Sequence, residues 1–336
     1  MTIARPALLL VLAGLVLSAC TSAPNTVVPL AGVPSASIEV PLASVGCTTG
    51  DTCVALGTSN AASGPATIGE DRKAHGTWHI LNTPNTPSSR LDALVCAATS
   101  CLAGGAQPSG DLLWRYDATT RAVASLNAPT GGVDVRALAC TSDSKCALVD
   151  STGVVGAARL SFTSDAGATW SAPRAIPWTL NTTVTALACQ NESTCLVAAT
   201  TGTHVKLESS TDAGVTWTPL AVPGSWRAIK DLRCWTSRCA ALAVGDATAL
   251  VRSRDFAATW TSLALSSGAR AVACANLTRC LVAGESSSGA GTITTILERR
   301  LHHTALVYAP TPLFAAACGV SVCVAIGAST LVAAKP

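Results

Sequence analysis

The sequence predicts an all-β chain: a seven-bladed β-propeller of four-stranded antiparallel blades, its ring closed by an N-terminal strand. Three observations predict it. First, every cysteine but Cys20 belongs to a close pair: Cys47/Cys53, Cys96/Cys101, Cys140/Cys146, Cys189/Cys195, Cys234/Cys239, Cys274/Cys280 and Cys318/Cys323, the first members recurring every 40 to 49 residues. A period near 45 repeated seven times is a repeat architecture. Second, short apolar runs bracket each pair, such as LDALVC, VRALAC and VTALAC before and CVALG, CLVAA and CLVAG after, with a polar turn between. That is strand, tight turn, strand. Third, two more short runs follow in each period, as in Val205–Glu208 and Thr218–Val222. Four strands per roughly 45 residues is the arithmetic of a propeller blade.

The N-terminus comes first. Arg5 supplies a positive n-region, Ala7–Leu17 an apolar core, and the small residues Ser18 and Ala19 lead into Cys20. The core is short for a membrane span and reads as an export signal. Leu17-Ser18-Ala19-Cys20 resembles the lipobox of bacterial lipoproteins. That resemblance implies cleavage before Cys20 and acylation of its thiol and new amino terminus, with the membrane as a partner. Residues 1–19 are therefore expected to be a signal peptide. Residues 20–36 are expected to be the lipidated cysteine and an uncharged Pro/Ser/Thr/Ala-rich tether, and residues 37–336 the propeller. Ser37–Leu42, SIEVPL, resembles fourth strands such as Trp217–Val222 and is expected to close the ring. Leu313–Ala334 carries no charge, and hydropathy alone would allow a span there. Its Gly, Ser and Thr content and its in-phase cysteine pair make it the last three strands.

The cysteine pairs have four or five residues inside, not the two of a redox C-x-x-C motif, and each sits on its own repeat, whereas a zinc site needs two pairs together. An exported chain meets an oxidising compartment, and hairpin partners lie close enough to bridge. Seven staples within blades are expected, each worth about 2 kcal/mol in the chain-entropy model.

A second signature runs in phase with the first. Thr163–Trp170 reads TSDAGATW, Ser210–Trp217 STDAGVTW and Ser253–Trp260 SRDFAATW. These segments resemble the Asp-box of BNR repeats. The resemblance implies a seven-bladed propeller like the BNR-containing sialidases and the photosystem II assembly factor-like propellers. Blade one keeps only Gly76-Thr77-Trp78. Asp165, Asp212 and Asp255 are read as acceptors of backbone N–H groups across a turn, and Gly167 and Gly214 as suppliers of positive φ. Ala257 stands where the third glycine is expected. Trp170, Trp217 and Trp260 are expected to pack between blades. The box is read as a hairpin brace, not a catalytic element.

In an up-and-down blade the first and third turns share the face with the disulfides and boxes. The opposite face is the expected binding face, with Gly57–Ala66, Gly284–Thr292, Asn82–Arg90, Pro177–Val184 and Pro223–Ala228 on it. The position four before each first cysteine should ring the channel mouth there: Ala43, Asp92, Arg136, Thr185, Lys230, Arg270 and Phe314. Asp92, Arg136, Lys230 and Arg270, with Arg227 and the exposed Trp178 and Trp226, are the candidate ligand-binding residues, suited to an acidic glycan or peptide.

Composition sets further bounds. Net charge is +3 with no Lys/Arg run, so nucleic acid is not an expected partner. Aromatics are 4% of the chain, and eight of them are Trp. The five His form no ligand pattern, and no phosphate loop or nucleophile elbow occurs; no metal, cofactor or catalytic residue is assigned. The expected function is a lipid-anchored, extracytoplasmic module that binds or scaffolds a protein, peptide or glycan on the cell envelope. The alternatives are a sialidase-type glycoside hydrolase, which would use Tyr308 and an arginine triad of Arg136, Arg227 and Arg270, and a purely structural envelope protein.

Overall fold

The computed structural model describes residues 26–28, 42–57, 67–72, 79–81, 83–84, 89–154, 157–178, 182–297, 300–306, 311–327 and 331–334. Among them the strands, numbered along the chain, begin with β1 (Thr26–Val28). The first sheet follows as β2 (Leu42–Cys47), β3 (Thr52–Gly57), β4 (Thr67–Arg72) and β5 (His79–Ile80). The second is β6 (Arg90–Cys96), β7 (Ser100–Gln107), β8 (Gly110–Asp117) and β9 (Ala122–Ser125). The third is β10 (Asp134–Cys140), β11 (Cys146–Ser151), β12 (Ala158–Thr163) and β13 (Arg174–Ile176). The fourth is β14 (Thr182–Cys189), β15 (Cys195–Thr201), β16 (His204–Ser210) and β17 (Thr218–Pro219). The fifth is β18 (Trp226–Trp235), β19 (Arg238–Gly245), β20 (Ala249–Ser253) and β21 (Thr261–Ala264). The sixth is β22 (Ala269–Asn276), β23 (Arg279–Glu285), β24 (Gly291–Leu297) and β25 (Arg300–Leu306). The seventh is β26 (Leu313–Cys318), β27 (Cys323–Gly327) and β28 (Leu331–Ala334), with β1 hydrogen-bonded beyond β28 as the fourth strand. All pairings within these sheets are antiparallel.

The closing strand is a correction. Thr26–Val28 pairs with β28 in the register Thr26↔Ala333 to Val28↔Leu331, inside the segment expected to be tether. In Ser37–Leu42, the expected partner, residues 37–41 lie outside the described residues and Leu42 opens β2 instead. Both segments are short and rich in branched apolar residues, TVV against SIEVPL; local pattern does not choose between them.

Each second strand is a run of small and branched apolar residues buried on both sides, such as Val54–Leu56 and Leu196–Ala199. A strand that reads apolar throughout needs a neighbour on each face, and stacked sheets supply both. The apolar clusters accordingly form between consecutive sheets. Val54 and Leu56 of the first meet Leu91, Leu112 and Trp114 of the second; Leu160 and Ile176 of the third meet Leu187 and Val197 of the fourth. Val324 and Ile326 of the seventh meet Val45 and Ala55 of the first. The innermost strands touch in succession: β2, β6, β10, β14, β18, β22, β26, and β26 touches β2.

The seven cysteine pairs are disulfides between the first and second strands of their sheets: Cys47–Cys53, Cys96–Cys101, Cys140–Cys146, Cys189–Cys195, Cys234–Cys239, Cys274–Cys280 and Cys318–Cys323, with Cα atoms 4.0–4.1 Å apart. They lie at directly opposed register positions, such as Cys47↔Cys53 and Cys189↔Cys195. They lie at the first-turn end of each sheet, the face expected to carry them, and below its surface. Cys53, Cys101, Cys195, Cys239, Cys280 and Cys323 are all buried, at 0–2% accessibility. Cys53 packs with Val45 and Ala55, Cys101 with Leu112 and Trp114, Cys239 with Leu196 and Val251, and Cys280 with Leu242 and Val282. The second strand is covered on both faces, and a bridged sulfur behaves there as a small apolar group. The bridges therefore sit just beneath the first turns, the second cysteine of each packed in the core and the first lining the central channel. Leu313–Ala334 forms three strands, and among the described residues no helix is long and apolar enough to cross a membrane.

Candidate functional site

Each first strand carries a β-bulge near its start. The bulged residue is Ala43, Asp92, Arg136, Thr185, Arg270 or Phe314 in six sheets, six of the seven positions expected at the channel mouth. In the fifth sheet it is Arg227, seven places before Cys234: β18 carries one extra residue between Lys230 and Arg233, and its ladder runs two pairs further before the bulge. A bulge leaves its extra residue out of the ladder and turns its side chain aside.

The cations there are paired. Arg136 lies 2.8 Å from buried Asp134, which also binds Arg90, and Arg90 donates to Asp92 at 2.6 Å. Arg227 pairs with Asp246 at 2.8 Å, and Arg270 with Glu285. The expected arginine triad is therefore three separate ion pairs, each made with a carboxylate of its own sheet or its adjoining turn. Lys230 is exposed on β18. Trp226, expected to be exposed, is 9% accessible and packs edge-on to Trp260, ring centroids 5.8 Å apart, while Trp178 is half-buried against the cluster between the third and fourth sheets. An indole gains more from burial between sheets than from a wet rim, and the sheet gap has room for it. Tyr308 and much of the expected loops, including residues 58–66, lie outside the described residues.

The expected ligand residues do not line the main cavity. That cavity, about 750 Å³, is the channel between the innermost strands, at the end nearest the disulfides. All seven first strands contribute, mostly through Ala, Leu, Val and the first cysteine of each bridge, and its charged lining residues are Asp143, Asp231 and Arg233. Asp143 is consumed structurally: its Oδ1 accepts the backbone N–H groups of Thr99 and Ser100, joining the third sheet to the second, and these bonds hold its carboxyl below the usual range despite burial.

Asp231 and Arg233 come from the irregular stretch of β18. Asp231 has φ 51°, and its Oδ2 accepts the Val272 N–H at 2.9 Å. Water reaches its side chain, yet protein walls it, and this desolvation pushes its carboxyl up to about 6 against the Val272 bond and Lys230. Arg233 stacks over Trp235 at 5.6 Å, with no carboxylate or carbonyl on its guanidinium among the described residues. Desolvation lowers its pKa, but a guanidinium stays charged. It is thus an exposed, enclosed cation in a channel of small side chains. Sequence reasoning passed over this pair although a signal existed. One and three places before the first cysteine the other sheets carry Gly, Val, Ala or Ser, as in RALAC; the fifth reads DLRC.

The three repeated turns share one hydrogen-bond pattern. Asp212 Oδ1 accepts the N–H groups of Val215 and Thr216, and Ser210 Oγ accepts that of Gly214 at 2.7 Å. Asp165 and Asp255 accept from Thr169 and Thr259 in the same way. These bonds, the Thr hydroxyls first, hold all three carboxyls down at about 2. The third turn keeps this geometry without glycine: Ala257 adopts φ 69° and its N–H reaches Ser253 Oγ at 2.7 Å. Trp170, Trp217 and Trp260 pack partly buried against the neighbouring clusters. Gly76-Thr77-Trp78 lies outside the described residues. No group of three His, Cys, Asp or Glu gathers as a metal-ligand set among the described residues.

No protein-family model matches the chain, and no curated protein matches it. Among solved structures the chain is similar to YCF48 bound to D1 peptide, with TM-score 0.63 and 13% identity over 93% of this chain and 97% of that one. It is similar to YCF48 from Cyanidioschyzon merolae, with TM-score 0.60 and 12% identity over 92% and 98%. It is also similar to the GH74 xyloglucanase from Xanthomonas campestris, with TM-score 0.58 and 13% identity over 93% of this chain and 54% of that one. At such identities the likeness establishes the fold: an all-β propeller of four-stranded antiparallel blades.

Proposed function

We propose that the chain is a lipid-anchored, extracytoplasmic propeller of seven blades that binds a protein or peptide partner in its central channel. The observation that carries the binding reading is the channel cavity with Arg233 unpaired inside it. Its size is that of ligand sites, and a lone enclosed guanidinium suits a carboxylate on the occupant. Seven blades closed in a ring are supported by the seven sheets and by the apolar cluster joining the last to the first. Export is supported by the disulfides, which persist in oxidising compartments, and anchoring by the resemblance of residues 17–20 to a lipobox. The three Thr/Ser–Asp turns support kinship with Asp-box propellers. One structural neighbour, YCF48, is described with a bound peptide, which fits a peptide occupant here.

Catalysis is the weaker reading. A sialidase-type site would turn Arg136, Arg227 and Arg270 on one substrate carboxylate, whereas each is taken up in a separate ion pair, with Asp134, Asp246 and Glu285. The test is capture by crosslinking on intact cells, comparing wild type with Arg233→Gln and with Ala316→Trp, which fills the channel. Both variants should lose at least about 10-fold of one specific crosslinked partner. Capture that ignores both changes, or sialoside hydrolysis that depends on Tyr308, would overturn the proposal.

A further inference from the structure

We infer that the turn face above the disulfides, at the Arg233 end of the channel, faces the lipid bilayer, held near it by a short leash at the edge of the seventh sheet, so that the occupant of the channel is a segment presented at the membrane surface. This rests on the reading of Cys20 as acylated.

The register decides it. Ala334 pairs with Cys323, so β28 ends at the disulfide face. β1 runs antiparallel to β28, with Thr26 opposite Ala333, so the chain preceding Thr26 leaves from that same face. Six residue steps separate Cys20 from Thr26, a reach of at most about 20 Å even when fully extended. A tether running to residue 37 would reach about 60 Å and leave orientation open. The strand pairing removes that freedom.

The chemistry of the face suits a leash more than electrostatic docking. The segments between its paired cysteines are mostly Ser, Thr, Asn and Gly, with three carboxylates, Asp51, Asp143 and Glu192, against three cations, Lys145, Arg238 and Arg279. A surface gains about 1 kcal/mol per Lys or Arg on anionic lipid, and here an equal number of carboxylates offsets it. Val320, at the tip of the β26–β27 turn and 60% accessible, stands on the sheet that carries the anchor. Val154, 61% accessible on the β11–β12 turn, marks the opposite face.

The experiment places a photo-crosslinking amino acid at Val320 or Val154 in the full acylated chain, bound to phosphatidylcholine vesicles. Lipid adducts should form at least about 5-fold more from position 320. The ratio should persist on anionic vesicles. Inserting fifteen Gly/Ser residues between Cys20 and Thr26 should collapse it while the chain stays bound. An acylated, bound chain that labels equally at both positions, more at 154, or at neither overturns the orientation alone. Mass spectrometry that finds Cys20 unacylated overturns the anchoring reading and the orientation with it.

Discussion

Gly167, Gly214 and Ala257 occupy the same place in three turns, with φ of 88°, 86° and 69°. Only glycine takes that conformation without strain; an alanine there costs about 1–2 kcal/mol. Their surroundings differ. A Cβ on Gly167 would come within 2.6 Å of Leu126 Cδ1, and one on Gly214 within 3.1 Å of Leu160 Cδ2. Gly167→Ala should therefore destabilise by about 2–3 kcal/mol, and Gly214→Ala by about 1–2 kcal/mol. Ala257→Gly releases the strain but gives up a fully buried methyl of about 0.8 kcal/mol and loosens the unfolded chain by about 0.4–1 kcal/mol, so it should stay within about 1 kcal/mol of wild type. Urea unfolding of the oxidised protein ranks the three; a strongly stabilising Ala257→Gly would show that packing does not compensate. The turn itself was legible from Thr/Ser-x-Asp-x-Gly. That alanine tolerates the third site depends on a neighbouring sheet that no local window contains.

At the scale of elements, the strand–turn–strand unit with its staple was readable because both cysteines of each pair sit within one hairpin. The burial of the second sulfur, as at Cys53 or Cys280, was not, because covering side chains come from the neighbouring sheet, the seventh for Cys53 and the fifth for Cys280. The unfolded chain loses little entropy to so small a ring. Cys189→Ala with Cys195→Ala should accordingly lower stability by about 2 kcal/mol, not the larger amount a long-range bridge would give, and reduction of all seven should act cumulatively. Differential scanning calorimetry of the double variant checks this; a loss beyond about 5 kcal/mol would mean that packing around the sulfurs dominates. The glycine that ends several second strands is also an element-level feature. A Cβ on Gly105 or Gly245 would lie about 2 Å from the carbonyl of Arg90 or Ser225, because the incoming first strand crosses there. What the hairpin pattern did not reveal is the irregular stretch of β18. There β18 carries one added residue, Asp231 and Arg233 line the channel, and the ladder runs two pairs further before the bulge at Arg227.

Over the whole molecule, polar contacts fasten one sheet to the next. Ser321 donates its N–H to Asp51 Oδ1 at 3.0 Å, joining the seventh sheet to the first. Buried Glu70 of the first sheet accepts from Tyr116 and Arg121 of the second. Between the second and third sheets lies a cluster with a pH dependence. Asp150 accepts two bonds from Arg159, at 2.9 and 2.5 Å; burial pushes its own carboxyl up, and these bonds and the Arg159 charge oppose that rise. Both oxygens of Asp111 are buried without a donor beside it, and desolvation, then the charge of Asp150, push Asp111 up to about 7; Arg159 opposes and Asp134 adds to the rise. The folded state thus holds a proton that the unfolded chain releases near 3.8. Its stabilising effect is full below that value and lost as pH rises through about 7. The thermal midpoint should fall between pH 5 and pH 8, and Asp111→Asn should flatten most of that fall. Asp231, raised to about 6, gives a smaller slope of the same sign. A variant that keeps the full wild-type slope would place the proton elsewhere.

Repeat number, strand order within each unit, the staples and the braced turns follow from the sequence by itself, since each is decided within one period by residues a few places apart. The tertiary structure alone decided which N-terminal segment pairs with β28, how deep the sulfurs lie, which charges the rim neutralises, where Trp226 goes, and which cation is left free in the channel. Those outcomes depend on contacts between units tens to hundreds of residues apart. There, short apolar segments compete for one edge and oppositely charged side chains find partners that no local pattern specifies.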